Sequence, residues 1–286
     1  MSDPNPATKS GDASDLPGAS ASSTPTGERR AGRPASQPVA PARRVPVHGG
    51  YRVPPVAQPI EYWLDANEGP VVDPAAPAAL ADLDPERLRR YPKPAEATAA
   101  LGAALGIEAS RVLLTAGGDE AIQRLCLALL EPGRTAVWHE PGFEIIRRGV
   151  ALAEGELVGV RWLDGPFPVE EVEAQIERRG ESVALVAVVT PNNPTGGVVE
   201  EADLERLRVA CGRVGAVLLV DLAYEGFGAR SRWPWVARNP DVAAIWSGSK
   251  TEGLAGLRVG ALIGPPPLID WARGVGLPYS VGGPTL

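Results

Sequence analysis

From residue 111 onward, short apolar runs alternate with longer stretches that have a helical pattern. The apolar runs that we interpret as strands are residues 112–114, 135–138, 183–189, 216–220, 242–246 and 258–263. The stretches that we interpret as helices are residues 95–105, 119–130, 168–179 and 200–213. Strands that alternate with helices predict an α/β three-layer sandwich with a mostly parallel sheet. In such a sheet a ligand usually binds outside the carboxyl ends of the strands.

The first 50 residues have a different composition from the rest of the chain. They contain no aromatic residue and are rich in Pro, Ala, Ser, Gly and Arg. Such a segment buries too little apolar surface to offset its ordering entropy, so we predict a disordered tail over residues 1–50. We expect no secretory signal, because the segment has no apolar stretch.

Charge and composition exclude several classes of partner. The net charge of −7 argues against binding to nucleic acid or to an anionic membrane. No apolar run approaches the roughly 20 residues that span a bilayer. Cys126 and Cys211 lie far apart and are expected to be buried free thiols in a reducing cytoplasm. His48 and His139 form no cluster with them, so no metal site is expected.

The first candidate for chemistry is a lysine among small residues. Only three of the 28 basic residues are lysines, and Lys250 ends the segment SGSK at 247–250, just after a predicted strand. Small and apolar neighbours would desolvate its ammonium group, lower its pKa and favour a Schiff-base nucleophile. Ser247, Ser249 and Arg258 are suitable hydrogen-bond donors for a phosphate. The alternative is an exposed loop lysine beside structural glycines.

Asp221 directly follows another predicted strand, and Tyr224 lies three residues further on. A carboxylate at a buried strand end needs a partner, because an unpaired buried charge is costly. A protonated pyridine nitrogen would be such a partner, and the phenol of Tyr224 could bind a ring oxygen. The alternative is an aspartate that caps the following turn.

Three further clusters are weaker on their own. The loop TPNNPTGG at 190–197 follows the Val-rich strand and is dense in turn residues. Gly118 and Asp119 open a predicted helix that Asp119 would cap, and free N–H groups at a helix start favour a phosphate. Phe143 could lie flat on a ligand ring. The ordinary interpretations of these three clusters are a structural loop, a helix start and a core Phe, respectively.

Taken together, these clusters resemble the fold-type I pyridoxal-phosphate aminotransferases of class I/II, and within them the histidinol-phosphate aminotransferases. The resemblance runs from about residue 62 to the end of the chain. The motifs that carry it are DANEGP at 65–70, RYP at 90–92, GDEA at 118–121, PNNPTG at 191–196, DLAY at 221–224, SK at 249–250 and GLRVG at 256–260. The order and spacing of the motifs are more specific than any one of them.

The resemblance implies pyridoxal 5'-phosphate as the cofactor and a role for each matching residue. Lys250 would form the Schiff base with the cofactor and then move the substrate's Cα proton, first as a base and then as an acid. Asp221 would pair with the pyridine nitrogen, so that the ring accepts electrons. Tyr224 and Asn193 would bind the ring oxygen, and Phe143 would stack on the ring where the family often has Tyr.

The resemblance also implies a phosphate site, a dimer and a division into domains. The residues expected to bind the phosphate are Gly118, Asp119, Ser247, Ser249 and Arg258. Tyr91 would reach the phosphate in the neighbouring subunit of a homodimer, and Asn67 would contact the substrate. Residues 51–90 would belong to a small domain that closes over the active site, and residues 91–286 would form the cofactor-binding large domain.

The implied reaction is transamination of an amino donor with a 2-oxo acid as acceptor. Histidinol phosphate and 2-oxoglutarate are the expected pair, which would place the reaction in histidine biosynthesis. We find no counterpart of the family's C-terminal segment, whose arginine clamps the acceptor carboxylate, so we expect an incomplete small domain and better support for cofactor binding than for turnover. The alternatives are an enzyme similar to threonine-phosphate decarboxylase, which His48-Gly49-Gly50 faintly resembles, and a non-catalytic fragment of the fold.

Overall fold

The computed structural model describes residues 66–69, 72–228 and 230–286. The predicted tail at residues 1–50 and the start of the predicted small-domain segment lie outside the described residues. The described helices are α1 (Ala75–Ala81), α2 (Pro85–Arg89), α3 (Ala95–Leu105), α4 (Gly117–Leu129), α5 (Glu144–Leu152), α6 (Val169–Arg179), α7 (Glu201–Val214), α8 (Trp233–Arg238) and α9 (Pro266–Val275). The described strands are β1 (Val112–Thr115), β2 (Thr135–Glu140), β3 (Glu156–Arg161), β4 (Val183–Val189), β5 (Val217–Asp221), β6 (Ala243–Ser247) and β7 (Gly260–Ile263).

The strands form one seven-stranded sheet in the order β1-β7-β6-β5-β4-β2-β3. Strand β7 is antiparallel to both of its neighbours, whereas the other strand pairs are parallel. The prediction of a mostly parallel α/β sheet is therefore confirmed. Since β1 and β6 are both antiparallel to β7, β1 runs parallel to β6. The carboxyl ends of β1, β2, β4, β5 and β6 consequently meet at one edge of the sheet.

Two apolar cores, one on each face of the sheet, produce the three layers. The sequence VALVAVV of β4 shows why its run is continuous: Val186 and Val188 point to one core, and Leu185 and Val189 to the other. A strand buried on both faces needs apolar residues at both parities. Helices α6 and α7 contribute buried residues to the first core, and α4, α5 and α9 to the second. No helix in the described ranges is long and apolar enough to cross a membrane.

The helix after β1 differs from its prediction. Helix α4 begins at Gly117 rather than at Asp119, and Asp119 lies inside its first turn. The role of Asp119 as a capping residue was therefore wrong. Ala116 occupies the cap position without a side-chain hydrogen bond, and the carboxylate of Glu120 accepts from the Ala116 N–H at 2.5 Å. That contact satisfies one of the free N–H groups at the helix start.

Candidate active site

The predicted residues collect in one cavity at the carboxyl edge of the sheet. Nine of them line it: Gly118, Asp119, Phe143, Asp221, Tyr224, Ser247, Ser249, Lys250 and Arg258. The other lining residues are Ile122, Val189, Ala223 and Ile245, which sequence reasoning did not single out. Val189 ends β4 and Ile245 lies near the end of β6, so their position at strand ends was the signal that could have identified them.

Lys250 presents its amine inside this cavity. The residue follows β6 and is half-buried, and its Nζ donates a hydrogen bond to the carbonyl oxygen of Ala66 at 2.5 Å. The same Nζ lies 5.6 Å from the centroid of the Tyr224 ring. Burial lowers the pKa of Lys250, while the nearby carboxylates of Glu68 and Asp119 act in the opposite direction. A lowered pKa increases the fraction of neutral, nucleophilic amine.

Asp221 is a buried carboxylate that the described chain only partly satisfies. It is the last residue of β5 and 1% exposed, and its Oδ1 accepts a hydrogen bond from the Ala223 N–H at 3.0 Å. Burial raises its pKa to about 6, and repulsion from Asp119 acts in the same direction. No ion pair in the described ranges includes Asp221. A cationic group placed at this end of the cavity would therefore be stabilised.

Tyr224 lies between Asp221 and the segment at residues 66–69. Its hydroxyl oxygen accepts a hydrogen bond from Nδ2 of Asn67 at 3.2 Å. Burial raises the pKa of Tyr224, and the contact with Asn67 lowers it. The phenol therefore stays protonated at neutral pH and can donate to an acceptor in the cavity. Asn67 contacts the site residue Tyr224 without lining the cavity itself.

The opposite end of the cavity is rich in donors that suit an anion. The Ser249 N–H donates to Oγ of Ser247 at 3.2 Å, and Nη1 of Arg258 donates to Oγ of Ser249 at 3.3 Å. The first turn of α4, with Gly118 and Asp119, faces the same space. Its unpaired N–H groups and helix dipole favour negative charge. Nη2 of Arg258 also lies 3.7 Å from the Asp119 carboxylate.

The backbone segments around Gly117 and Gly260 approach each other closely in the part of the cavity near Arg258. Gly117 has φ +82°, and a Cβ added to it would lie 2.7 Å from Nη2 of Arg258. Arg258 itself has φ +51°, an uncommon conformation for a residue other than glycine. A Cβ on Gly260 would lie 2.4 Å from the backbone of Gly117. The glycines thus allow α4, β7 and the guanidinium to converge.

Besides Asn67, two predicted residues lie outside the cavity. Asn193 is half-buried in the loop after β4 and does not line the space around Lys250. Tyr91 is 76% exposed and stacks on Tyr279, with ring centroids 4.5 Å apart. It lines a separate surface groove together with Arg87 and other residues near α2.

The cavity has three chemical features in a fixed arrangement. One end favours an anion, the buried carboxylate of Asp221 favours a proton-bearing ring nitrogen, and the desolvated amine of Lys250 suits condensation with a carbonyl. Phe143 and Val189 add apolar surface to the same cavity. Pyridoxal phosphate has a phosphate, a basic ring nitrogen and an aldehyde, so the residues present fit this group.

Comparisons with known proteins agree with this geometry. A sequence model of the family described as aminotransferase class I and II matches residues 61–286. The chain is 32% identical over 210 residues to histidinol-phosphate aminotransferase 1 of Trichormus variabilis, covering 72% of this chain and 58% of that protein. It is 35% identical over 227 residues to histidinol-phosphate aminotransferase 1 of Burkholderia lata, covering 76% of this chain and 61% of that protein.

A solved structure shows the same fold. Histidinol-phosphate aminotransferase from Sinorhizobium meliloti, in complex with pyridoxal-5'-phosphate, superposes with a TM-score of 0.68 at 23% identity. The superposition covers 77% of this chain and 60% of that one. The chain thus spans about three fifths of the length of the relatives that it matches.

Proposed function

Because the chain belongs to the class I and II aminotransferase family, we propose that it binds pyridoxal phosphate through Lys250 and transfers an amino group from an amino compound to a 2-oxo acid. The observation that carries the proposal is the shared cavity of Lys250 and Asp221. It joins a desolvated amine to a buried carboxylate that lacks a cationic partner in the described residues.

When bound, pyridoxal phosphate supplies an aldehyde that condenses with amines and a ring that withdraws electrons from the carbon next to the nitrogen. Asp221 would hold the ring nitrogen in its protonated state, because its own buried charge is stabilised by that contact. Tyr224 would donate its hydroxyl proton in a hydrogen bond to the ring oxygen, and Asn193 would reach the same oxygen. Phe143 would cover one face of the ring and exclude water from it.

Lys250 would carry the proton during the reaction. Burial lowers the pKa of its amine, which brings the neutral form closer to neutral pH, where it can accept the substrate's Cα proton. The carbonyl of Ala66, which accepts from Nζ at 2.5 Å, would keep the amine oriented. Ser247, Ser249, Arg258 and the N–H groups at the start of α4 would bind the phosphate and hold the ring in register with Lys250.

We propose histidinol phosphate as the amino donor and 2-oxoglutarate as the acceptor, which would make this a step in histidine biosynthesis. The support is the similarity of the chain to histidinol-phosphate aminotransferases at 32% and 35% identity. The predicted contact of Asn67 with the substrate agrees with its position, since its side chain reaches Tyr224 at the cavity.

A homodimer in the cytoplasm is part of the same proposal. Tyr91 is exposed and lies outside the cavity of its own chain, which leaves its hydroxyl available to a neighbouring subunit. The free thiols of Cys126 and Cys211 are buried, as expected in a reducing compartment.

The test is a visible spectrum of the purified chain after addition of pyridoxal phosphate. We expect the absorption band of a lysine Schiff base in the wild type and its loss in Lys250→Ala. Lys93→Ala is the matched control, because Lys93 is an exposed lysine outside the cavity. Histidinol phosphate should then bleach the wild-type band, whereas a band that survives in Lys250→Ala, or none at all, would contradict the proposal.

A further inference from the structure

His139 lies near the end of β2, and its side chain connects this strand to β4. It is the penultimate residue of β2 and is 1% exposed. The register of β2 with β4 ends at Trp138 and Ala187, so the ladder of backbone hydrogen bonds stops just before this point. The Val189 N–H, which would otherwise lack a partner on this side, donates to Nε2 of His139 at 2.9 Å.

The partners of the ring define its protonation state. A backbone N–H can only donate, so Nε2 of His139 must be the accepting, unprotonated nitrogen. Nδ1 therefore carries the proton and donates it to the carbonyl oxygen of Pro141 at 3.2 Å. Trp162 and Phe167 enclose the ring edge-to-face, at centroid distances of 5.1 and 6.1 Å. Burial lowers the pKa of His139 to about 4, against the effect of the Pro141 contact, so the ring is neutral at physiological pH.

The carbonyl of Pro141 joins this ring to a second side chain. Nδ2 of Asn192 donates to the same oxygen at 3.1 Å and also to Oγ1 of Thr195 at 2.8 Å. Asn192 is 3% exposed, so these contacts are shielded from water. The backbone of Asn192 closes its own loop through bonds with Gly196 and Gly197. One carbonyl oxygen thus connects the loop after β2 with the loop after β4.

Each of these loops carries a residue of the proposed cofactor site. Phe143 lies two residues after Pro141, and Asn193 directly follows Asn192. We propose that His139 is a positioning residue, which fixes the loop at 141–143 to the loop at 190–197 and so sets the placement of Phe143 and Asn193 against the cofactor ring. This inference rests on the proposed function for its consequence, but the connection between the loops does not depend on the cofactor.

Amide hydrogen exchange on the cofactor-free chain tests the connection directly. In His139→Phe the ring shape is kept and both hydrogen bonds are lost, so exchange should rise at Val189 and in both loops. His139→Gln can still accept with its oxygen and donate with its amide, and should restore most of the protection. Cys211→Ala is the matched control, because it removes a buried group from the second half of α7.

Asn192→Ala provides a second route if His139→Phe does not fold. It removes the side-chain amide that donates to the Pro141 carbonyl from the loop at 190–197. Exchange should therefore rise at Gly142 and Phe143, which lie in the other loop. A rise confined to the loop that carries the substitution would overturn the proposed connection. An equal rise in both loops for Cys211→Ala would overturn it as well, because the effect would then reflect general destabilisation.

The consequence for the site is measured as the dissociation constant of pyridoxal phosphate. We expect a roughly tenfold increase in His139→Phe, within the range of about 5- to 150-fold typical of coupled sites, and a value close to wild type in His139→Gln. Loop protection lost without a change in this constant would overturn the positioning role. If the wild type shows no Lys250-dependent band, the proposed function fails, and the exchange data still decide whether His139 connects the loops.

Discussion

His139 and Asp221 are two buried titratable residues at the same edge of the sheet, and they differ in how their polar atoms are satisfied. They lie on β2 and β5, the two neighbours of β4, and each is 1% exposed. Both nitrogens of His139 have backbone partners. Asp221 has one backbone donor and no cationic partner in the described residues. Buried polar groups are normally satisfied, so the first residue is complete within the protein and the second is arranged for a ligand.

Val189 lies between the two residues and contacts both regions. Its N–H binds His139, and its Cα is the register partner of Asp221. Burial disfavours the charged form of both groups, which lowers the pKa of the histidine and raises that of the aspartate. Substituting each residue in turn distinguishes the histidine, which has a partner for each nitrogen, from the carboxylate, which has no cationic partner in the described residues.

The largest expected effect is that of Asp221→Asn on the affinity for pyridoxal phosphate. Removing one partner of a buried ion pair typically costs about 3–5 kcal/mol, so we expect pyridoxal phosphate to bind roughly 150- to 4000-fold more weakly. The measurement is titration of the Schiff-base absorption band. A cofactor analogue with carbon in place of the ring nitrogen is the control, since it should bind wild type and variant alike. An equal loss for both ligands would show that Asp221 acts through structure rather than through charge.

His139 should lower the free energy of unfolding of the chain at acidic pH. Its pKa in the folded chain is about 4, against an ordinary value of 6.5, so its contribution is fully present above pH 6.5 and is lost as the pH falls towards 4. That loss amounts to about 3 kcal/mol at 1.36 kcal/mol per pKa unit. His139→Gln cannot take up this proton, so its free energy of unfolding should fall less between pH 6.5 and 4. Urea unfolding of the cofactor-free chain at several pH values measures this, and parallel curves would refute it.

Asp221 should affect stability in the opposite sense and slightly less. Its pKa is raised from 3.8 to about 6, so the folded chain binds the proton more tightly, and stability falls as the pH rises through this window. The free energy of unfolding of Asp221→Asn should therefore exceed that of the wild type by up to about 3 kcal/mol above pH 6. Below pH 4 the two values should not differ. The same urea series checks it on the cofactor-free protein. A variant that is less stable at every pH would contradict the assignment of Asp221 as a buried charge without a cationic partner.

The strands that the sequence predicted well are those buried on both faces. Strand β4 is continuous in apolar residues, and its predicted bounds of 183–189 match the structure. Strand β3 was missed because it is an edge strand on which only Val160 is buried, and Gly159 interrupts its short apolar run. Helices α5 and α9 were also missed, because with 9 and 10 residues they are too short to show a clear helical period. An edge strand forms because it pairs with its neighbouring strand, and the local sequence pattern does not show that pairing.

The candidate site could be predicted where chemistry follows directly after a strand. Lys250 and Asp221 have that position, and the topology then brings their strands side by side. His139 could not be found in this way. It appeared in the sequence only as a histidine without a ligand cluster, and its partner Val189 lies about 50 residues away along the chain. A role that arises where two strands diverge needs the register of the sheet, which the sequence does not display.

The smallest expected effect lies at the anion-binding end and shows whether that end, like Asp221, is arranged for a ligand. Arg258→Lys keeps the positive charge, and Lys has the same difficulty as Arg with φ +51°, so the variant isolates the guanidinium fork. It should lose the contact with Ser249 and one charge-assisted bond to phosphate, which weakens pyridoxal phosphate roughly tenfold. Arg273→Lys, exposed and paired with Asp270, is the control and should bind as the wild type does. Pyridoxal without its phosphate should bind equally to all three proteins, and a tenfold loss for this ligand too would mean that Arg258 shapes the cavity rather than binding the anion.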